Sequence, residues 1–430
     1  MKRLFFILGL LSSSLLTFAQ DDATTITTDS VAPKKLSFFG KIAKRLSESN
    51  KPNEKKLDFL FLGAPSYSKT TGLMINLCGS GEYRWDRRDT LYQKSNFSLY
   101  ASASTNGVLT LGVMGKNFLP QDRARLNYDL YVQKTKARTW GIGVEDGGDI
   151  DENEANFNRL QFKCEPEFIY RVAKNFYAGV TLNAERNNIY GLEKINPEWV
   201  RGLEELRPEA KALEILDEKG NMKNGQYFDH FIQVLGLGYT LNYDSRDFVL
   251  NASKGINIRW SMMFYPNFLV KGKMKYDDQI PEEMKGIAKT RGFTMYDFTF
   301  DFYHKLWKGA VLAYELHGRY NDGQDVPWVM LAEVGGNSRM RGYFQGRYRD
   351  KGILETQLEL RQHIYGRSGV VAWVGAANIF PSFRSMRFKN TLGNYGIGYR
   401  FELKHLVNVR VDFGFTNKDF GIVFGVNEAF

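Results

Sequence analysis

The chain has 430 residues, 43% of them hydrophobic and 14% aromatic, with 41 glycines and 11 prolines, a balance that excludes a collagen-like or disordered polymer and leaves material for a large core or an apolar outer belt. Its 58 lysines and arginines against 48 acids give a formal charge of +10 and a pI near 9.2. The two signs are interleaved along the whole length, so no basic block follows a phosphate backbone and nucleic-acid binding is not expected.

At the amino terminus Lys2 and Arg3 precede the apolar run LFFILGLLSSSLL, and Thr17-Phe18-Ala19 places small residues ahead of Gln20. This is the pattern of a secretory signal peptide over residues 1–19, and the run is too short for a retained anchor. No later run reaches the roughly twenty apolar residues of a spanning helix, so a mature chain that crosses a membrane does so as a barrel. Residues 20–56 are polar, then basic, and read as a periplasmic linker. They contain a short amphipathic segment whose apolar face is Leu36, Phe39, Ile42 and Leu46; this face packs on its own domain, docks on a membrane surface or plugs a pore.

From Leu57 onward, segments of roughly ten residues alternate apolar and polar side chains, which means two faces in different surroundings. Candidate strands begin near residues 57, 71, 95, 107, 124, 155, 174, 229, 252, 291, 307, 352, 367, 390, 407 and 420, an even number as single-chain bacterial barrels have. In LETQLELRQHI, Leu354, Leu358, Leu360 and Ile364 oppose Glu355, Gln357, Glu359, Arg361 and His363. In NVRVDFGFT, Val409, Val411, Phe413 and Phe415 oppose Asn408, Arg410, Asp412 and Gly414. The polar faces are dense in glycine, arginine and glutamate, and tyrosine and phenylalanine recur near strand ends as an aromatic girdle requires. A transmembrane antiparallel β-barrel of 16 strands, residues 57–430, is therefore expected in a bacterial outer membrane, with outer-membrane lipid and lipopolysaccharide as neighbours.

The connections sort largely as a barrel demands, the exceptions being the medium connections 86–94 and 118–123 and the short one near Asn106. Short turns (AKN at 173–175, WKG at 307–309, GRS at 366–368, KHL at 404–406) follow even strands, and the long connections near 135–154, 188–228, 265–290 and 322–351 follow odd ones, as for two unlike rims. The 188–228 insertion carries a predicted helix from Asn196, an N-cap ahead of Pro197, to Gly220, which caps its own barrel or binds a partner. Cys78 and Cys164 stand outside any metal-type pair and either form one disulfide or act as two unpaired apolar wall residues. The five histidines are dispersed, although His317 and His363 are expected on the lumenal faces of neighbouring strands. No nucleophile arrangement, calcium loop, Walker sequence or dinucleotide fingerprint occurs, so no enzyme, cofactor or metal site is expected.

The connection between the eleventh and twelfth strands holds GGNSRMRGYFQGRYRD, Gly335 to Asp350. Its Met340-Arg341-Gly342-Tyr343 resembles the VRGF/VRGY signature of the outer-membrane superfamily that includes the BamA and TamA assembly factors and the FhaC-type two-partner secretion transporters. YDSRDFVLNASKG from Tyr243 is similar to that family's D-x-R-D turn, with Ala252 in place of the usual proline, and PSYSKTTGLMIN from Pro65 to the opening of its barrel. The terminal Phe430 matches the recognition signal of outer-membrane barrels.

The resemblance implies that this sixth extracellular loop folds into the lumen, where Arg341 pairs with wall acids: Glu359 first, with Asp412 or Glu315 compensating because Gly375 and Ala377 stand where the family has an aspartate and a glycine. Arg339, Arg347 and Arg349 are expected to line the same interior or to face lipopolysaccharide phosphates. It also implies assistance to the insertion or translocation of proteins or lipids through a lateral seam between the first and last strands, with client barrels or accessory subunits as partners. Gly414, Gly421 and Gly425 are read either as weakening the pairing at that closing edge or as relieving crowding inside the barrel. Residues 20–56 leave no room for a POTRA domain. The alternative is a closed barrel serving as a surface receptor, pore or scaffold.

Overall fold

The computed structural model describes residues 57–68, 71–85, 95–144, 155–192, 229–274, 288, 290–404 and 407–430. The expected signal peptide, the linker and the helix of the 188–228 insertion lie outside them. Sixteen long strands follow in chain order: β1 (Leu57–Ser68), β2 (Gly72–Tyr83), β3 (Ser95–Ser104), β4 (Leu109–Phe118), β5 (Ala124–Thr139), β6 (Ala155–Ala173), β7 (Phe176–Tyr190), β8 (His230–Asp244), β9 (Gly255–Tyr265), β10 (Phe293–Lys305), β11 (Ala310–Asp322), β12 (Gly352–Tyr365), β13 (Ser368–Phe380), β14 (Leu392–Lys404), β15 (Val407–Thr416) and β16 (Phe420–Val426). Each begins within three residues of the start expected from alternation. The described chain is all-β and antiparallel.

Every strand from β1 to β16 is laddered antiparallel to the next. One feature breaks the meander. The outer half of β8 pairs with a separate short strand, Val270–Met274, while its inner half pairs with β9. β1 and β16 lie side by side, and the described ladders run from one to the other without one joining these two ends.

The two faces of the wall carry opposite chemistry. Leu182, Leu235, Leu237, Phe264 and Ile397 point outward and stay exposed, which only a lipid surrounding makes favourable over so wide an area. Among the described residues no helix is long and apolar enough to cross a membrane, so strands make the crossing. Cys78 and Cys164 are free and half-buried.

Candidate functional site

Residues Trp328–Tyr348 leave the rim between β11 and β12 and enter the barrel, pinned at the entrance by the paired dipeptides Ala332–Glu333 and Arg349–Asp350. At the tip of the intrusion Arg341 is wholly buried. A guanidinium removed from water needs carboxylates on more than one edge, and the wall supplies them. Arg341 Nη1 donates to Asp412 Oδ2 at 2.8 Å, and Nη2 donates to Glu359 Oε1 and to Gln357 Oε1, the latter at 3.3 Å. The Trp373 ring covers the cation, its centroid 3.7 Å from Cζ, which adds the attraction of the ring's negative face.

The arrangement continues past the arginine and returns to it. Glu359 accepts from Arg361 Nε at 3.0 Å, Arg361 faces Glu428 at 3.9 Å, and Arg400 bridges Glu428 at 2.7 Å and Asp412 at 2.5 Å. A closed ring of ion pairs thus ties the loop to β12, to the segment after β16, and to β14 and β15. Arg410 adds a third guanidinium to Asp412, at 2.6 Å, and its Nη2 donates to Asn337 O of the loop at 2.8 Å. Four guanidiniums share three carboxylates here, so removal of any one acid leaves the cations crowded.

Backbone fit matters as much as charge. Gly342 has φ +110, and a Cβ there would lie 2.8 Å from the Gly414 carbonyl. Gly414 is equally confined, since a side chain on it would meet Arg341 O at 2.3 Å. Its cross-strand partner Gly421 has Gly342 Cα 3.3 Å from where a Cβ would be. Gly414 and Gly421 therefore make room for the loop, and Gly425 makes room for the Arg410 guanidinium. Asn394 Nδ2 donates to Arg341 O at 3.0 Å, and its side chain occupies the place into which a Cβ at Gly375 would project.

Of the other site residues read from the sequence, Tyr343 donates its hydroxyl to Gly393 O at 2.9 Å and packs edge-on against Tyr348. Burial pushes its phenol up to about 12. Glu315 does not reach Arg341; it bonds Arg339 at 2.7 Å and Gln357 at 2.6 Å. Arg347 pairs with Asp419 and Arg349 with Glu333, at 2.8 and 2.9 Å, so the remaining loop arginines are neutralised inside the barrel. His317 lies in the lumen between Glu355 and Asp297. His363 keeps the parity expected of it as the last regularly paired residue of β12, but it is exposed there, its Nε2 2.9 Å from Gly366 O.

At the opposite rim, the β8–β9 turn holds Asp247. Burial favours its neutral form, but the Ser253 hydroxyl and the N–H groups of Phe248, Ser253 and Lys254 hold the carboxyl below its ordinary value. Ala252 of the same turn packs with Tyr303, Ala313 and Phe430. Sequence reasoning did not assign roles to Trp373 and Asn394 beside Arg341, or to Arg400 and Glu428 in the ring. The first three share the lumenal parity of their strands, and that parity was the available signal.

Between the loop and the β3–β7 wall a cavity of about 730 Å³ remains, lined by polar groups such as Tyr100, Gln133, Arg159, Lys163 and Glu185. Among the described residues no three His, Cys, Asp or Glu side chains are placed to hold a metal.

An all-β barrel with an in-folded loop held by a buried arginine defines a class of outer-membrane protein. The Omp85 superfamily domain matches residues 94–430, and the chain belongs to that superfamily. Its fold is similar to that of BamA from Haemophilus ducreyi lacking POTRA domains 1-3, with a TM-score of 0.50 at 12% identity over 86% of this chain and 69% of that one. CdiB from Acinetobacter baumannii aligns with a TM-score of 0.47 at 12% identity, over 87% of this chain and 60% of that one. CdiB from Escherichia coli aligns with a TM-score of 0.49 at 10% identity, over 87% and 62%. No curated protein matches the chain.

Proposed function

We propose that the protein assists the insertion or translocation of proteins at the outer membrane through a lateral seam between β1 and β16. The observation that carries this reading is the closing edge: these two strands are neighbours without a described ladder between them, whereas every other consecutive pair of the sixteen is joined by one, in part only at β8–β9. An edge short of partners offers its N–H and C=O groups to an incoming strand by β-augmentation. The ring of ion pairs supports the same reading, since it fastens β14, β15 and the segment after β16 to the loop and leaves β1 outside that clamp. One side of the seam is thereby tied to the loop through Glu428, directly after β16. Client barrels, and accessory subunits on the periplasmic side, are the partners this chemistry fits; the protein acts without a catalytic residue of its own.

Reconstitution tests the reading. Vesicles containing the purified protein should accelerate the folding of a denatured client barrel, followed by its heat-modifiable gel mobility, severalfold over protein-free vesicles. Equal rates would shift the assignment to a closed receptor, pore or scaffold, for which the polar 730 Å³ cavity is the favouring feature.

A further inference from the structure

Among the described residues, outward-facing cations carried on the strands themselves at the extracellular end fall on one arc, from β5 to the short strand Val270–Met274, while exposed Arg384, Arg387, Lys389 and Lys418 stand on connections elsewhere on the rim. Lys134 and Lys136 on β5, Arg186 on β7, and Lys271 and Lys273 on the short strand Val270–Met274 are all exposed on that arc. Orientation follows from their neighbours. Asn183, Glu185 and Asn187 bond Glu165, Gln161 and Arg159 inside the lumen, so Arg186 between them points out. Lys271 and Lys273 stand opposite Gln233 and Phe231, which share a face with exposed Leu235 and Leu237. Among the described residues, the same ends of β2–β4 and β10–β16 carry no outward cation.

These cations are also handled differently from those inside. Each loop arginine meets a carboxylate. Arg186 instead donates only to the side-chain oxygens of Asn188 at 3.1 Å and Gln233 at 3.3 Å, with the Phe231 ring centroid 4.6 Å from its Cζ. Beside it Phe231, Lys271, Lys273 and Thr290 border a cleft of about 510 Å³. Directly toward the membrane centre lie exposed Leu182, Leu235, Leu237 and Phe264.

Cations above an apolar wall, at the level where the hydrocarbon ends, match one kind of molecule: an amphiphile with an anionic head. We propose that this rim binds the phosphorylated headgroup of an outer-leaflet lipid, with phosphate over Arg186, Lys271 and Lys273 and acyl chains along Leu182, Leu235, Leu237 and Phe264. The guanidinium grips phosphate oxygens through its paired N–H groups while the lysines act as point charges. The site is independent of the seam, so failure of either reading leaves the other standing.

Native mass spectrometry of the full chain in neutral detergent tests it, with diphosphorylated lipid A as the probe. The wild-type protein retains the lipid, and Arg186→Gln/Lys271→Gln/Lys273→Gln weakens apparent affinity about tenfold or more, as three surface cations would. Arg384→Gln, an exposed cation on the β13–β14 connection, leaves it unchanged. Unaltered heat-modifiable mobility verifies that the triple variant is folded. Equal retention by wild type and triple variant, or equal retention of a zwitterionic phosphatidylethanolamine, overturns the proposal. Full displacement of the lipid by excess inorganic phosphate does so as well, because the rim would then be a plain anion site.

Discussion

Arg341 carries no solvent exposure and two carboxylate partners, so its charge is affordable only while the loop stays seated. Truncating one member of a buried ion-pair network strands the others, at a cost of about 3 to 5 kcal/mol. Arg341→Ala is expected to weaken the barrel by that order and to expose residues 323–351 to surface protease. Loss of heat-modifiable mobility at a lower temperature is the measurement; unchanged mobility together with unchanged protease resistance would contradict the latch. That Arg341 meets carboxylates was legible from its motif and from the lumenal parity of Glu359. The choice of Asp412 over Glu315 was not, because it depends on how far the loop reaches across the lumen. Glu315 is taken by Arg339, two residues earlier in the loop, whereas the tip lies over Gly414 of β15.

The elements themselves were legible because a period of two cannot be produced by a helix, and strands such as β12, as far as His363, and β15 hold that period. Where alternation ends, so does its authority. His363 has the parity of a lumenal residue, but β12 breaks register between His363 and Tyr365 at the end of the wall, and the ring ends up in the open. The glycines of the closing strands are a second case. Composition leaves Gly414 and Gly421 open as weak points in a ladder or as relief from crowding, and the packing makes them a seat for the Arg341–Gly342 backbone. Gly414→Ala should therefore unseat the loop, costing about 1 to 3 kcal/mol as overpacking does. Gly393→Ala, where no atom lies within 4 Å of the new Cβ, should be silent. Thermal unfolding of the two variants compares them directly; equal midpoints would mean that the loop does not rest on this glycine.

At the scale of the whole molecule, two features divide the labour. The ring of ion pairs joins the loop, β12, β14, β15 and the segment after β16, and none of its members comes from β1. This asymmetry is what a protein needs if one strand is to part from its neighbour while the barrel survives. The overall architecture and the position of the loop could be read from alternation, loop sorting and one motif. The ring could not, since its members come from five separate stretches of chain and meet only through the tilt of the sheet. Depletion of the protein in its native cell, followed by quantitative proteomics of the outer membrane, tests the insertion role most directly. The account predicts loss of several other barrel proteins together; an unchanged barrel inventory would contradict it.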